Sequence, residues 1–559
     1  MPPIASRRGR RIASKACDIC RERKVQCVFE DERTACRRCS QGNTECTFLK
    51  ERRARGPPPR TITTALTLPV GELLVEHLCP RDVFLAIIDD YLDLVWPLLP
   101  LVHRPGFRAA LSKHSYATDS TSFRLCITLC AVTVASMPRK FEQYGGSRYS
   151  DVAAMVDRAC HLVLLSRVQS APDWQNQPSM SSMIVSIMLS MASHYAGRHN
   201  QGWSYASEAI QFFQALELFR KEGYEKLTVL EGELCKRAFW VLYIIQIHDR
   251  LSFIVPHTGL SFNPLYTDWE YLLPSELEDE EIPTQELLSM NDHRSAMDTD
   301  FEGRPLPVIS GFIALIKVFL CVVDFLSNGF PGAPPQAYAM TSGSLQTLAY
   351  PASPTEHPEF APSPASFRST VDLNSLLRIL RRLQRVIEEL PHELKIPTRD
   401  NQIHAQNAEF SPVKANQFDI MRANIHVTSL YIQSKILEVC LGAFTCSRAA
   451  DENHASPEDD LRSTTSGNGS RTQLWQFRES IAHELLHVLR FCSSRTLEAN
   501  GSSMIVKIRE IAATLLDNDH ELDATSELEE QSRQYVVHFA GILADLDHMG
   551  YSTIIPPSF

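Results

Sequence analysis

Residues 17–27 read CDICRERKVQC and residues 36–46 read CRRCSQGNTEC, so one cysteine spacing occurs twice in a short stretch. Each copy has two residues between its first two cysteines and six residues before its third. Zinc favours thiolate ligands, and the first histidine of the chain, His77, lies too far along to complete a local site. The repeat therefore predicts a metal site built from sulfur alone.

Six thiolates can coordinate zinc in two ways. They can fill one tetrahedral site and leave two sulfurs over, or they can bind two Zn²⁺ ions if two sulfurs are shared. The twofold spacing favours two Zn²⁺. Few large apolar residues lie in the segment, so metal binding should supply most of its folding free energy, on the order of 10 kcal/mol or more.

A disulfide framework and a purely structural zinc knuckle are the alternatives at these cysteines. The first fifteen residues, MPPIASRRGRRIASK, lack the apolar stretch of a secretory signal. This favours a reducing compartment, in which cysteines bind metal or stay as free thiols. The distribution of charge argues against a purely structural role.

Positive charge is concentrated at the beginning of the chain. The protein has 559 residues and a net charge of -11, but its first 60 residues hold 16 Lys and Arg against 7 Asp and Glu. Such a segment is suited to a polyanion. Arg21, Arg23 and Lys24 lie inside the first cysteine repeat, where a short helix pinned by metal would have the size that enters a DNA major groove.

These residues closely resemble the DNA-binding domain of the fungal binuclear zinc cluster transcription factors. The resemblance implies a small metal-stabilised domain with two short helices. It implies that Cys17 and Cys36 bridge the two ions. The remaining ligands would then divide into two pairs, Cys20 with Cys27 and Cys39 with Cys46.

The same resemblance implies the DNA contacts. Lys24 matches the lysine that reads a guanine-rich triplet, typically CGG, from the first helix, and Arg23 matches its basic neighbour. Three further arginines are expected to contact phosphates: Arg21, Arg37 and Arg38. The expected partner is double-stranded DNA at RNA polymerase II promoters, and basic clusters on both sides of the cysteines agree with a nuclear location.

The rest of the chain is predicted to be a large all-α regulatory domain. The sequence predicts a basic tail at 1–15, the zinc cluster at 16–50, a basic and proline-rich linker at 51–78, helical parts at 79–326, 371–448 and 473–559, and disordered insertions at 327–370 and 449–472. Apolar residues near the linker's end do not sustain heptads, so monomer or dimer stays open. Apolar runs are too short to span a membrane, and no membrane partner is expected.

The helical region also resembles a known domain. The surroundings of Tyr91, Trp96 and Arg237, with Phe239-Trp240, are similar to the fungal-specific regulatory domain found downstream of these zinc clusters. That resemblance implies a helical bundle without catalytic residues, and transcriptional co-regulators are possible partners. Leucines at heptad steps over 373–390 predict one helix, with burial in the protein's own core favoured over a seam with a partner helix.

Two other motifs offer competing functions. Residues 483–487 read HELLH, the HExxH pattern of zinc peptidases. On a helix, however, His483 and His487 fall on the polar face, opposite the apolar stripe. The acidic run 276–281 could act as an activation segment, although a solvated loop is the favoured interpretation. A zinc-cluster scaffold that does not bind DNA is the remaining alternative.

Overall fold

The structure is a computed structural model, and it describes residues 11–12, 16–29, 35–48, 73–252, 268–282, 305–322, 373–397, 411–452, 460–516 and 526–547. The chain divides into two compact units, Met1–Leu68 and Pro69–Phe559. The first is the zinc-cluster unit and the second is the helical unit. The insertion predicted at 327–370 lies outside the described residues.

The zinc-cluster unit contains two short helices and a pair of two-residue strands. Helix α1 is Asp18–Glu22 and helix α2 is Arg37–Gln41. Strand β1, Arg11–Ile12, pairs antiparallel with strand β2, Val28–Phe29. Five-residue helices are far too short to be stable alone. Their buried centre consists of cysteines, not of a conventional apolar core.

The helical unit confirms the predicted all-α architecture within the described ranges. Its helices are α3 Arg81–Asp90, α4 Arg104–Ser112, α5 Ser115–Thr118, α6 Ser120–Ser136, α7 Phe141–Tyr144, α8 Val152–Ser170, α9 Met180–Tyr195, α10 His199–Ala215, α11 Lys221–Tyr224, α12 Val229–Ser252, α13 Trp269–Leu272, α14 Ile309–Leu320, α15 Leu373–Glu388, α16 Pro412–Glu452, α17 Asp460–Phe491, α18 Ser494–Glu498, α19 Ser502–Thr514 and α20 Ser526–Asp547.

Side-chain caps fix where several of these helices begin. Asp119 accepts hydrogen bonds from the backbone N–H groups of Thr121 and Ser122 at the start of α6. Asp151 caps α8 and Ser179 caps α9 in the same manner. Such caps satisfy amide groups that have no partner inside the helix, and each contributes about 1 kcal/mol.

Two helices lie at the centre of the unit. Helix α6 packs against α8 and α9, and its last eleven residues are all buried. Helix α16 is 41 residues long and packs against α14, α15, α17 and α19. Gly311 allows α14 to approach it closely, since a Cβ there would lie 2.8 Å from the Cβ of Met421.

The leucine stripe over 373–390 behaves as the sequence predicts. Leu380, Leu383 and Leu390 are buried, and α15 packs against α14 and α16. The apolar face is therefore part of the protein's own core. The alternative of a seam for a partner helix is not needed to explain the pattern.

The insertion predicted at 449–472 is wrong for most of its length. Helix α16 continues to Glu452 and α17 begins at Asp460. The sequence STTSGNGS at 463–470 has weak helix propensity, which led to the prediction. Helix extension from an already formed segment is much easier than nucleation, and α17 is packed from Phe477 onward.

The helical unit also begins before the predicted boundary at residue 79. Residues Val75–His77 form a short 3₁₀ helix. Val75 and Leu78 are buried in the main core of the unit. The end of the predicted linker, 73–78, is therefore part of the folded helical unit.

The acidic run 276–281 is folded into the helical unit. Asp279 is fully buried and forms ion pairs with Arg237 (3.0 Å) and Arg104 (3.4 Å). Glu278 pairs with Arg104 and with Lys414. Glu276, Glu280 and Glu281 of the same run are exposed. The run is thus not wholly a solvated loop, because Glu278 and Asp279 are tied to the helical unit by ion pairs.

Among the described residues, no single helix is both long and apolar enough to cross a bilayer. One bent pair, α6 with the segment Pro138–Tyr144, meets the criterion by length and composition only.

Candidate metal centre and nucleic-acid interface

The six cysteines of the repeats come together as two tetrads. Within each tetrad the four sulfur atoms all lie within 4.8 Å of one another. The tetrads are Cys17, Cys20, Cys27 and Cys36, and Cys17, Cys36, Cys39 and Cys46. Cys17 and Cys36 are common to both, at an Sγ–Sγ distance of 3.8 Å.

These separations suit tetrahedral zinc. Four sulfurs at about 2.3 Å from a tetrahedral centre would lie about 3.8 Å from one another. The Sγ atoms of Cys20 and Cys36 are 3.6 Å apart, as are those of Cys17 and Cys39. All the cysteines of the cluster are buried except Cys46, which is half-buried. The cluster is therefore a sulfur cage shielded from water, as a closed structural zinc site requires.

The two cysteine repeats have matching hydrogen bonds at the cage. The backbone N–H of Cys17 donates to Sγ of Cys27 at 3.5 Å. Nineteen residues later, the N–H of Cys36 donates to Sγ of Cys46 at 3.4 Å. N–H groups aimed at sulfur stabilise thiolates and orient them. The sequence duplication is thus also a structural duplication.

The two repeats also end their helices in the same way. The N–H of Val25 donates to the carbonyl of Cys20, and the N–H of Thr44 donates to the carbonyl of Cys39, both at 3.0 Å. This is the Schellman arrangement that closes a helix. It turns the chain back so that the third cysteine of each repeat reaches the sulfur cage.

Each turn contains a residue with left-handed backbone conformation. Lys24 has φ of 51° and Asn43 has φ of 48°. Glycine usually occupies this position, and asparagine tolerates it better than lysine does. The strain at Lys24 costs of the order of 1–2 kcal/mol, which points to a role for its side chain.

Thiol ionisation differs among the cysteines of the cage. Burial raises the pKa of the Cys20 thiol, and its sulfur neighbours add to this effect. At Cys36, burial is opposed by hydrogen bonds from the Cys39 backbone and from neighbouring thiols, which lower the pKa to about 6. The pKa of the Cys17 thiol, the other shared sulfur, is lowered as well, so hydrogen bonding at both shared positions favours the thiolate, the form that binds metal.

The structure exposes four of the five cationic residues predicted to contact DNA: Arg23, Lys24, Arg37 and Arg38. The side chain of the fifth, Arg21, lies outside the described residues. Within the described part of the chain, Arg23 and Lys24 have no ion-pair partner. Their charges are available to an external anion.

The prediction that Lys24 and Arg23 project from the first helix is wrong. Helix α1 ends at Glu22, and both residues lie in the turn that follows. The helix ends early because Cys27 must return to the sulfur cage, which leaves no room for another turn. The cationic side chains are therefore placed by a rigid turn and not by a helix face.

Sequence analysis missed a contact that joins the two repeats. The backbone N–H of Asp18 donates to the carbonyl of Thr47 at 2.8 Å, and the Thr47 hydroxyl donates to the Asp18 carboxylate at 3.0 Å. Asp18 is buried. An acidic residue in the first turn of a helix was the available signal, but its distant partner could not be read from spacing.

The HELLH motif does not form a metal site in the described part of the chain. His483 and His487 are exposed on α17, while Leu485 is fully buried. This confirms the predicted orientation. Neither histidine joins a group of three potential metal ligands among the described residues.

Comparison with known families agrees with both units. The fungal Zn(2)-Cys(6) binuclear cluster domain matches residues 15–56, and the fungal specific transcription factor domain matches residues 88–347. No curated protein and no solved structure matches the chain. The first domain indicates binding of zinc and DNA, and the second indicates regulation of transcription. The chain therefore belongs to the fungal Zn(2)-Cys(6) zinc cluster transcription factors that carry the fungal specific transcription factor domain.

Proposed function

We propose that the protein is a nuclear, sequence-specific regulator of RNA polymerase II transcription that reads a CGG-like triplet. The observation that carries this proposal is the pair of cysteine tetrads with an exposed cationic turn attached. The helical unit would regulate activity or bind co-regulators. We assign it no catalytic role.

The zinc assignment follows the two tetrads. Cys17 and Cys36 would bridge two Zn²⁺ ions, with Cys20 and Cys27 completing one site and Cys39 and Cys46 the other. Bound zinc would hold the cysteines in a fixed tetrahedral arrangement and would have no catalytic role. Six thiolates and two Zn²⁺ leave the cage with a small negative charge, far less than the positive charge of the surrounding residues.

Lys24 and Arg23 would then read base edges. Lysine donates to the guanine O6 and N7 acceptors in the major groove, and this contact discriminates among base pairs. The left-handed turn fixes the direction of Lys24, because its backbone is held between α1 and the cage. Positioning by a rigid support is what base readout needs, since the register must be set before bases are compared.

Phosphate contacts would come from α2 and α1. Arg37 and Arg38 begin α2 and are exposed, and Arg21 lies in α1. Such contacts contribute affinity and register, and they carry no sequence information directly. The basic residues at 7–15 and 50–55 would add to this attraction and serve nuclear import.

A gel-shift experiment tests the readout. We expect Lys24→Ala to reduce preference for the CGG-containing duplex over a scrambled duplex by about 1–3 kcal/mol. Asn43→Ala is the matched control, since it changes the same turn position in the other repeat and should leave the preference intact. Equal loss of binding to both duplexes in Lys24→Ala would contradict the proposal.

Metal analysis tests the site itself. We expect two zinc ions per full-length chain and none in a chain lacking residues 1–50. One zinc ion that survives the deletion would instead indicate a site at His483 and His487. Failure to bind any duplex at low salt would favour the scaffold alternative.

A further inference from the structure

A cavity of about 210 Å³ lies in the helical unit, away from the cysteines. Its apolar walls come mainly from α12 and α14: Val241, Ile244, Ile245, Phe312, Leu315 and Phe319. His199, an exposed residue at the start of α10, lies at its edge and marks an opening to solvent. The volume suits a small organic molecule below drug size.

A buried lysine lines this cavity. Lys507, on α19, is only 5% exposed. Its Nζ donates to the Thr428 hydroxyl at 2.9 Å and is 3.4 Å from Oδ1 of Asn424. An ammonium has three donors, so one remains for a further acceptor.

Among the described residues, no carboxylate pairs with Lys507. Glu510 lies one turn further along α19, but it is held by Lys435 and by the Tyr431 hydroxyl. Burial lowers the pKa of Lys507 to about 8, so the group is still mainly a cation at neutral pH. An unpaired buried charge is unfavourable, and a protein that keeps one has a use for it.

Within the described part of the chain, other polar atoms around the cavity also lack hydrogen-bond partners. Oδ1 of Asn500 is buried and accepts no hydrogen bond from a described residue, while its amide nitrogen donates to the carbonyls of Thr496 and Ile420. Nε2 of His194 and Nε2 of His248 are likewise buried without a partner. Buried polar groups are nearly always satisfied, so several such atoms on one cavity indicate a missing polar ligand.

We propose that this cavity binds a small monocarboxylic acid with an apolar body. The carboxylate accepts a hydrogen bond and charge from Lys507, and the body packs against α12 and α14. A hydroxyl near the carboxylate would donate to Oδ1 of Asn500. A monocarboxylate matches a single buried cation in an apolar cavity, whereas a dianion would leave one charge unpaired.

The bound acid would join two parts of the helical unit. Helices α9, α12 and α14 lie within residues 88–347, the range of the fungal specific transcription factor domain. Asn500 and Lys507 lie beyond it. A ligand held by both parts would stabilise the C-terminal helices against the rest of the unit, which gives it a means of regulation.

The binding test uses full-length protein and a defined set of acids. The probes are hexanoate and octanoate with their 2-hydroxy derivatives, and the matched neutral probes are 1-hexanol and 1-octanol. We expect at least one acid to raise the midpoint of thermal unfolding with increasing concentration, and the alcohols to have a much smaller effect. If none of the acids shifts the midpoint or titrates by calorimetry, the proposal is overturned.

The variant Lys507→Met tests whether Lys507 binds the carboxylate of the acid. We expect this variant to unfold at a higher temperature without ligand, because the unpaired charge is gone, and to bind the acid roughly tenfold or more weakly. Lys435→Met is the matched control, since it removes a lysine that pairs with Glu510 outside the cavity lining. Unchanged affinity in Lys507→Met, or equal loss in both variants, would refute the assignment.

The pH dependence of binding in the unmodified protein gives a test that does not rely on a variant. Affinity should fall between about pH 7 and about pH 9.5, as Lys507 loses its proton. The pKa of His194 is lowered by burial to about 4, and burial together with the charges of Lys507, Lys435 and His194 lowers that of His248 to about 3. Both histidines are neutral throughout this range, and Lys435 is paired with Glu510. Constant affinity across this range would contradict the assignment of the cation to Lys507.

Discussion

The first cysteine repeat, residues 17–27, and the second, residues 36–46, have the same backbone and different surfaces. Both have a short helix, a left-handed residue and an N–H to sulfur hydrogen bond. Between the second and third cysteines, however, one reads RERKVQ and the other SQGNTE. The metal cage accounts for what they share. What differs is therefore the part that is free to recognise DNA.

Removal of zinc by a chelator should have the largest effect on stability, and it tests the metal cage that the two repeats share. Because the cage replaces an apolar core, removing zinc should cost the zinc-cluster unit on the order of 10 kcal/mol and unfold it. We expect amides of α1 and α2 to lose protection from hydrogen exchange together, while α6 keeps its protection. Protection that persists in one repeat after the other has opened would show that the cage is not shared.

Exchanging the turn residues Lys24 and Asn43 tests whether the difference between the two repeats determines DNA recognition. Lys24→Asn should lose about 1–3 kcal/mol of preference for the triplet. Adding Asn43→Lys should restore affinity for all duplexes without restoring the preference, because the second turn lies elsewhere on the cage. Competition gel shifts with cognate and scrambled duplexes measure both quantities. Recovery of the preference in the double variant would mean that the two turns are equivalent.

Loss of a phosphate contact should be smaller and independent of sequence. Arg38→Ala should weaken binding to every duplex alike and reduce the slope of log affinity against log salt by about one. Arg38 corresponds to Ile19 in the first repeat, so this contact belongs to the second repeat alone. Gln41→Ala, on the same helix, is the control. An unchanged salt slope in Arg38→Ala would exclude a phosphate contact.

The left-handed positions should give the smallest effect. Lys24→Gly removes backbone strain and should stabilise the zinc-loaded unit by up to about 1 kcal/mol, while the preference for the triplet falls as it does in Lys24→Ala. Asn43→Gly should change stability less, because asparagine already tolerates this conformation. Thermal unfolding in excess zinc measures both variants. Destabilisation by Lys24→Gly would show that the turn is not strained.

The grouping of cysteines could be predicted from the sequence because it depends on short covalent spacing. The position of Lys24 could not, since α1 ends where the chain returns to the cage. Helix α15 could also be predicted from the sequence, because the spacing of its leucines involves only residues that are close in the chain. The helical structure at the polar start of α17 could not be predicted, because that segment is helical by extension from a packed neighbour.

The cavity around Lys507 was beyond sequence analysis for a different reason. Its polar atoms come from α9, α12, α16, α19 and the residue Asn500, which are far apart in the chain. No spacing rule connects them. A lysine on an otherwise ordinary helix resembles any surface lysine until tertiary packing removes it from water.

Because Cys17 and Cys36 belong to both tetrads, chemical modification of either one removes a ligand from both metal sites. Oxidation or alkylation of Cys17 would leave each tetrad one sulfur short, whereas the same lesion at Cys27 would affect a single tetrad. The two Zn²⁺ ions should accordingly bind together and leave together, and a protein with only one bound ion should not persist. The protein would then respond to metal scarcity or oxidants as a switch with a sharp threshold.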